Sequence, residues 1–89
     1  MTIPDDVPDQ LTLVDKDGTE HEGNGKELWV RGYLYGWKQC VWDYEHGKLG
    51  LATEKPEAPL IQTYIIENEG LTVGYLACWR AIRKDKNSP

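Results

Sequence analysis

Few side chains in this sequence could do chemistry. Its two cysteines, Cys40 and Cys78, and its two histidines, His21 and His46, are the residue types that zinc sites favour. A zinc site needs about four such ligands, and the sequence has no Cys-x-x-Cys or His-x-x-x-His spacing. Because a cysteine on an apolar helix face usually packs in a core, we expect two reduced, partly buried thiols and no metal.

A second candidate, for calcium, lies at residues 15–18, Asp-Lys-Asp-Gly. In a calcium-binding loop, Leu13 would stand at the first ligand position and Asn24 at the last, where a bidentate glutamate belongs. A hairpin turn is therefore the simpler interpretation. The sequence also has no phosphate-binding glycine loop and no serine nucleophile motif. We expect a protein that is not an enzyme, without catalytic residues or cofactors.

Charge is distributed unevenly along the 89 residues, which have room for one domain. Residues 1–27 carry eight acids and two bases, whereas residues 28–89 carry seven acids and eight bases. An acidic N-terminal third argues against a general nucleic-acid binder, which needs a basic surface. The N-terminus lacks the pattern of a signal peptide, and no segment has the roughly 20 apolar residues of a membrane span. We expect a cytoplasmic location.

Local signals predict two strands and two helices. Residues 1–10 are interpreted as an irregular acidic arm and residues 11–86 as one small domain. The β-prone run 11–14, followed by a glycine-containing turn and a candidate return strand over 19–22, predicts a short β-hairpin. Asn24 as N-cap and Gly47 as the C′ residue predict a helix over 25–46. A second helix is expected from about residue 69 to 84, while 60–68 fits a strand or a helix equally well.

Helical periodicity gives the first helix two apolar faces. A helix of this kind usually packs on two sides. The wider face is expected in the core and holds Trp29, Val30, Tyr33, Leu34, Trp37, Cys40, Val41 and Tyr44. The narrower face, Leu28, Tyr35 and Trp42, repeats every seven residues and is expected to point outward. On the second helix, the predicted core face holds Leu71, Tyr75, Cys78, Trp79 and Ile82.

Glycines inside both helices indicate a close crossing. A glycine in a helix costs about 0.5–1 kcal/mol relative to alanine. We therefore expect Gly32, Gly36 and Gly74 where the two backbones approach each other. Residues 32–38 also align with 74–80 through a shared Gly-Tyr-Leu-x-x-Trp-basic pattern. The sequence predicts a mainly α fold in which two helices pack as an antiparallel hairpin, with α+β as the alternative.

Residues 31–36, Arg-Gly-Tyr-Leu-Tyr-Gly, and 75–80, Tyr-Leu-Ala-Cys-Trp-Arg, resemble the ribosome modulation factor family. That family has an Arg-Gly-Tyr-x-x-Gly pattern in its first helix and a Trp-Leu-Gly-Gly-Trp-Arg-like pattern in its second. The resemblance is confined to these two patches, and the family is strongly basic. It implies a helix hairpin that binds the ribosome and promotes its hibernation. The basic residues for such an RNA contact would be Arg31, Lys38, Arg80, Arg83 and Lys84.

The leading hypothesis is a non-enzymatic interaction or regulatory module. Trp and Tyr most often dominate protein contacts, so the outward stripe Leu28, Tyr35 and Trp42 would bind a protein partner or a second copy. Neither nucleic acid, a membrane nor a small-molecule substrate is the expected partner. The acidic segment could also occupy a basic site, which would make the protein an inhibitor of a nucleic-acid-processing complex. Its residues are Asp15, Asp17, Glu20 and Glu22.

Overall fold

The computed structural model describes residues 2–51 and 54–86. The elements in chain order are strands β1 (Leu11–Val14) and β2 (Glu20–Gly23) and helices α1 (Gly25–Glu45) and α2 (Ile65–Lys86). The helices pack against each other, and the strands form an antiparallel sheet. Two packed helices with a short β-hairpin are therefore confirmed.

Turn chemistry sets the register of the hairpin. The Asp15 amide donates to the Thr19 carbonyl at 2.9 Å, and the Gly18 amide donates to the Asp15 carbonyl at 2.9 Å. Gly18 has a φ of +85°, which glycine adopts without steric cost and which ends a three-residue hairpin loop. Leu11 consequently lies opposite Gly23 at the far end of the hairpin.

The predicted caps set the bounds of α1. The Asn24 side chain accepts a hydrogen bond from the Glu27 amide at 3.0 Å, which satisfies one of the unpaired N–H groups of the first turn. At the other end Gly47 has a φ of +69°. The Lys48 amide beyond it donates to the Asp43 carbonyl at 2.7 Å, closing the last turn.

Helix α2 begins one turn earlier than predicted. The Tyr64 carbonyl accepts the first helical bond, from the Asn68 amide at 3.1 Å. The Asn68 side chain bonds both backbone groups of Ile61, accepting from its amide at 3.1 Å and donating to its carbonyl at 2.9 Å. The ambiguous run is therefore irregular through residue 64 and helical from Ile65.

Four glycines form the contact line between α1 and α2. A Cβ atom on any of them would overlap a backbone carbonyl of the opposite helix, so only glycine fits. The pairs of glycine and carbonyl residue are Gly32 with Glu67, Gly36 with Leu71, Gly70 with Trp29, and Gly74 with Tyr33. This close approach offsets the helix-propensity cost of the glycines, as the sequence predicted.

The two helices run parallel, which corrects the prediction of an antiparallel hairpin. Contacts advance together along both chains, from Gly25 beside Ile66 near the helix starts to Lys86 over the Tyr44 ring near their ends. The connection over residues 46–64 makes this direction possible. Extended chain covers about 3.3 Å per residue against 1.5 Å in a helix, so this connection can return along the whole of α1.

The parallel pair has an approximate twofold relation with an offset of 38 residues. Gly32, Gly36 and Cys40 on α1 correspond to Gly70, Gly74 and Cys78 on α2, and the glycine-to-carbonyl contacts are reciprocal under that offset. The sequence alignment of 32–38 with 74–80 is therefore one helical turn out of register. That alignment pairs identical Tyr, Leu and Trp residues. The structure instead pairs the residues that share the spacing Gly-x-x-x-Gly-x-x-x-Cys.

The core lies where α2, the end of α1 and the returning connection meet. Its buried cluster contains Cys40, Leu49, Tyr75, Cys78 and Trp79, so the predicted core face of α2 is confirmed. The predicted core face of α1 is partly wrong, because Leu34 is 51% exposed and Trp37 is 36% exposed. The residues of α1 that contact α2 most closely are glycines, which have no apolar side chain. A face predicted from apolar periodicity is therefore centred away from the true contact line.

Within the described residues, neither helix combines the length and the apolar composition that crossing a membrane would require.

Candidate functional site

The outward stripe of α1 is shorter than predicted. Tyr35 and Trp42 are 46% and 44% exposed, but Leu28 is buried at 7%. Leu28 lies in the first turn of α1, where the Gly25 amide donates to the Asp9 carbonyl of the N-terminal arm. The candidate partner-binding stripe is therefore Tyr35 and Trp42, and Leu28 is withdrawn from it.

A shallow groove joins the two exposed aromatic rings, with Lys38 and Gln39 as its other lining residues. Gln39 is held by its side-chain amide, which donates to Asp43 Oδ1 at 2.9 Å. The other oxygen of that carboxylate accepts from the Tyr75 hydroxyl at 2.6 Å. Burial and this hydrogen bond raise the pKa of Tyr75. Hydrogen bonds through Asp43 thus connect Gln39 of the groove to Tyr75 of the core.

Trp42 has basic neighbours. The His46 ring stacks on it, with centroids 3.8 Å apart and an interplanar angle of 15°, and His46 Nδ1 lies 2.8 Å from the Trp42 carbonyl oxygen. The Lys48 ammonium lies 4.8 Å from the centroid of the Trp42 ring, within cation–π range. Neither His46 nor Lys48 was among the predicted site residues, although His46 lies four positions beyond Trp42 on the same helix face.

The predicted acidic set lies on the hairpin, and all four of its residues are exposed. Asp15 joins the hairpin to the segment before α2, because its Oδ1 accepts from the Tyr64 hydroxyl at 2.7 Å and lies 3.1 Å from His21 Nε2. The Tyr64 bond is the main cause that lowers the pKa of Asp15, and the His21 bond is the second. Asp17 accepts from the Thr19 amide, which lowers its pKa.

Acid should weaken the attachment of the hairpin through Asp15. Its ordinary pKa is 3.8 and is lowered in the folded chain, so the stabilisation is complete above that value and is lost as the pH falls through the folded pKa. We expect a carbon-13 NMR titration of the Asp15 carboxyl to give a midpoint below 3.8. Tyr64→Phe should move that midpoint upward. An unchanged midpoint would contradict the role of the Tyr64 hydrogen bond.

The structure places Arg31 apart from the other four residues of the predicted RNA-binding set. Arg31 forms an ion pair with Glu67, with Nη2 2.8 Å from Oε2, and the Glu67 side chain is only 10% exposed. The other members lie in the C-terminal halves of the two helices, which parallel packing brings to the same end of the molecule. They are Lys38, Arg80, Arg83 and Lys84.

The two thiols lie together in the core. Cys40 is fully buried and Cys78 is 1% exposed. Burial is the first cause that raises the pKa of Cys40, to about 12, and the hydrogen bond with Cys78 adds to it. Burial also raises the pKa of Cys78.

Both thiols should therefore resist alkylation in the folded protein. Raising the Cys40 pKa from 9.0 to about 12 lowers the thiolate fraction at pH 8 by about a thousandfold. Iodoacetamide at pH 8 should label neither cysteine in buffer and both in concentrated guanidinium, measured by intact mass. Rapid labelling of the folded chain would show that the pair is open to solvent.

Among residues 2–51 and 54–86, no group of three or more His, Cys, Asp or Glu side chains is placed to hold a metal ion. Comparisons with protein-family models, with curated proteins and with solved structures found no match. The resemblance to the ribosome modulation factor family therefore stays a prediction.

Proposed function

We propose that this chain is a non-enzymatic protein-binding module whose contact surface is the stripe of Tyr35 and Trp42. The observation that carries the proposal is the exposure of both rings, 46% and 44%, beside a single groove on α1. Tyr and Trp supply large contact areas with a polar tip, and they dominate protein interfaces.

The charged side chains at the stripe suggest the chemistry of the partner. Lys38 lines the groove, and Lys48 lies over the Trp42 ring. An apolar patch of a partner protein that is bordered by carboxylates would complement this surface. The apolar contact would supply most of the affinity, whereas the two lysines would favour the orientation.

The double variant Tyr35→Ala/Trp42→Ala should lose partner binding and keep its fold. We expect the affinity to fall by about a hundredfold or more, since two anchor residues are removed. Thermal melting by circular dichroism should stay close to that of wild type. The measurement is titration calorimetry with the partner recovered by affinity purification from the source cell.

A matched control replaces Leu34 and Val73, which are exposed to a similar extent and do not line the groove. Leu34→Ala/Val73→Ala should bind as wild type does. Sedimentation of the purified protein tests whether the partner is a second copy, in which case the stripe variant is monomeric. Unfolding of the stripe variant, or equal loss of binding in the control, would contradict the proposal.

The acidic hairpin suggests an inhibitor of a nucleic-acid-processing complex as a more specific version of this function. Glu20 and Glu22 project from β2, and both are exposed. If they occupy a basic site on the partner, binding weakens steeply with added salt, because the contact is between exposed charges. Binding through the aromatic stripe alone would change little with salt.

Ribosome or RNA association is the second candidate function. It is favoured by the exposure of Lys38, Arg80 and Lys84, which all lie in the C-terminal halves of the two parallel helices. Co-sedimentation with ribosomes at low salt tests it, using Arg80→Glu/Lys84→Glu against Lys16→Glu at the hairpin end. Arg31 is excluded from this test because it pairs with a nearly buried carboxylate.

A further inference from the structure

A groove of about 580 Å³ runs between β1 and the segment that leads into α2. All four residues of β1 line it, from Leu11 to Val14. Successive side chains of a strand point to opposite faces of a sheet. A groove lined by four consecutive residues therefore follows the backbone edge of the strand and not one of its faces.

That edge has no partner strand, because the sheet consists of β1 and β2 alone in the part of the chain that the structure describes. The direction of its hydrogen-bonding groups follows from the turn. The Asp15 amide points toward β2, since it donates to Thr19. Backbone groups alternate in direction along an antiparallel strand, so those of Thr12 and Val14 point away from β2 and along the groove.

The walls of the groove are mainly apolar, and among the described residues the charged ones that line it are acidic. Val14 is 55% exposed and Ile65, on the opposite wall, is 80% exposed. Asp6 and Glu69 are the two charged residues that line this groove. An occupant must therefore satisfy a strand edge, cover β-branched side chains and tolerate negative charge.

We propose that the groove between β1 and the start of α2 binds an extended segment of a partner protein, which pairs with β1 as a third strand and carries lysine or arginine beside β-branched residues. Strand addition uses the free backbone groups for affinity and alternate side-chain positions for specificity. The basic residues complement Asp6 and Glu69. This surface is distinct from the aromatic stripe, and the two proposals stand or fall separately.

The test uses the full chain and synthetic peptides of the sequence Lys-Val-Thr-Val-Thr-Val-Lys, capped at both ends. Titration followed by nitrogen-15 NMR should shift the amides of Thr12 and Val14 and those of residues 63–66 more than the rest. Two further peptides carry N-methyl groups on alternate residues, and they differ in which alternate residues are methylated. The peptide whose methyl groups replace the N–H groups that face β1 should bind about tenfold more weakly, since it loses backbone hydrogen bonds. The peptide methylated on the other residues should bind as the parent does.

Variants of the protein locate the site. Thr12→Pro removes an outward N–H at a free edge, where proline is tolerated, and should weaken binding by up to about tenfold. Glu69→Lys should weaken binding of the basic peptide, whereas Glu20→Lys, the same charge change on β2, should have a smaller effect. Tyr35→Ala/Trp42→Ala should bind the peptide as wild type does.

Several results would overturn the proposal. Equal binding of the two N-methylated peptides, or equal effects of Glu69→Lys and Glu20→Lys, would indicate attraction to the acidic hairpin without strand addition. Absence of shifts at Thr12 and Val14 with millimolar peptide would exclude the edge. If the free protein dimerises and Thr12→Pro makes it monomeric, the edge pairs with a second copy and not with a partner.

Discussion

Replacing Gly36 or Gly74 by alanine is expected to destabilise the fold by about 3 kcal/mol or more, the upper range for overpacking. In each case the new methyl group would overlap a backbone carbonyl, of Leu71 or Tyr33 respectively. A backbone cannot move aside as a side chain can, so the helices must separate. The midpoint of thermal unfolding should fall by roughly 12–24 °C.

Gly50→Ala is the matched control for this experiment. A Cβ at Gly50 meets nothing within 4 Å, and the residue has no positive φ. This variant should melt within a few degrees of wild type. If Gly36→Ala behaved like Gly50→Ala, the helices would not be in backbone contact, and the parallel packing described above would be wrong.

Truncation of Trp79 is the second change with a large expected effect. Trp79 is 2% exposed, and its indole N–H donates to the Gly50 carbonyl at 2.9 Å. Trp79→Ala removes core volume and one hydrogen bond between the connection and α2, so we expect a loss of about 3–5 kcal/mol. A domain of this size has a stability of about 4–13 kcal/mol. The variant should therefore be largely unfolded at moderate urea concentrations.

Trp42→Ala provides the comparison, since it makes the same truncation on the exposed stripe. It should cost no more than about 1 kcal/mol, because the ring is 44% exposed. Both variants are best followed by far-ultraviolet circular dichroism in urea, which does not depend on tryptophan emission. Similar losses for the two would mean that Trp42 belongs to the core, which would also remove the basis of the proposed function.

The features that the sequence predicts well are those set by neighbouring residues. The bounds of α1 follow from Asn24 and Gly47, and the hairpin follows from the turn that ends at Gly18. The direction of α2 relative to α1 depends on the path of residues 46–64, and no local pattern encodes that path. Periodicity could not locate the contact line either, because its residues are glycines.

In the candidate surfaces, too, features set by neighbouring residues were predictable and features that join distant residues were not. The exposure of Tyr35 and Trp42 follows from their spacing on α1, whereas the burial of Leu28, seven positions before Tyr35, does not follow from that spacing. The pairing of Arg31 with Glu67 joins residues from different helices and was not predictable. The groove along β1 exists only because the start of α2 lies beside the hairpin.

Parallel packing also determines how this chain must fold. In an antiparallel helix hairpin the first contacts form next to a tight turn and the rest follow in sequence. Here the four glycine-to-carbonyl contacts join residues 35 or 41 positions apart, such as Gly32 with Glu67 and Gly74 with Tyr33. The chain must therefore close one long loop before any of them forms, and that entropy cost falls on the transition state. Folding should thus be slow for a helical protein, and intermediates with a partly formed α1–α2 interface should not accumulate.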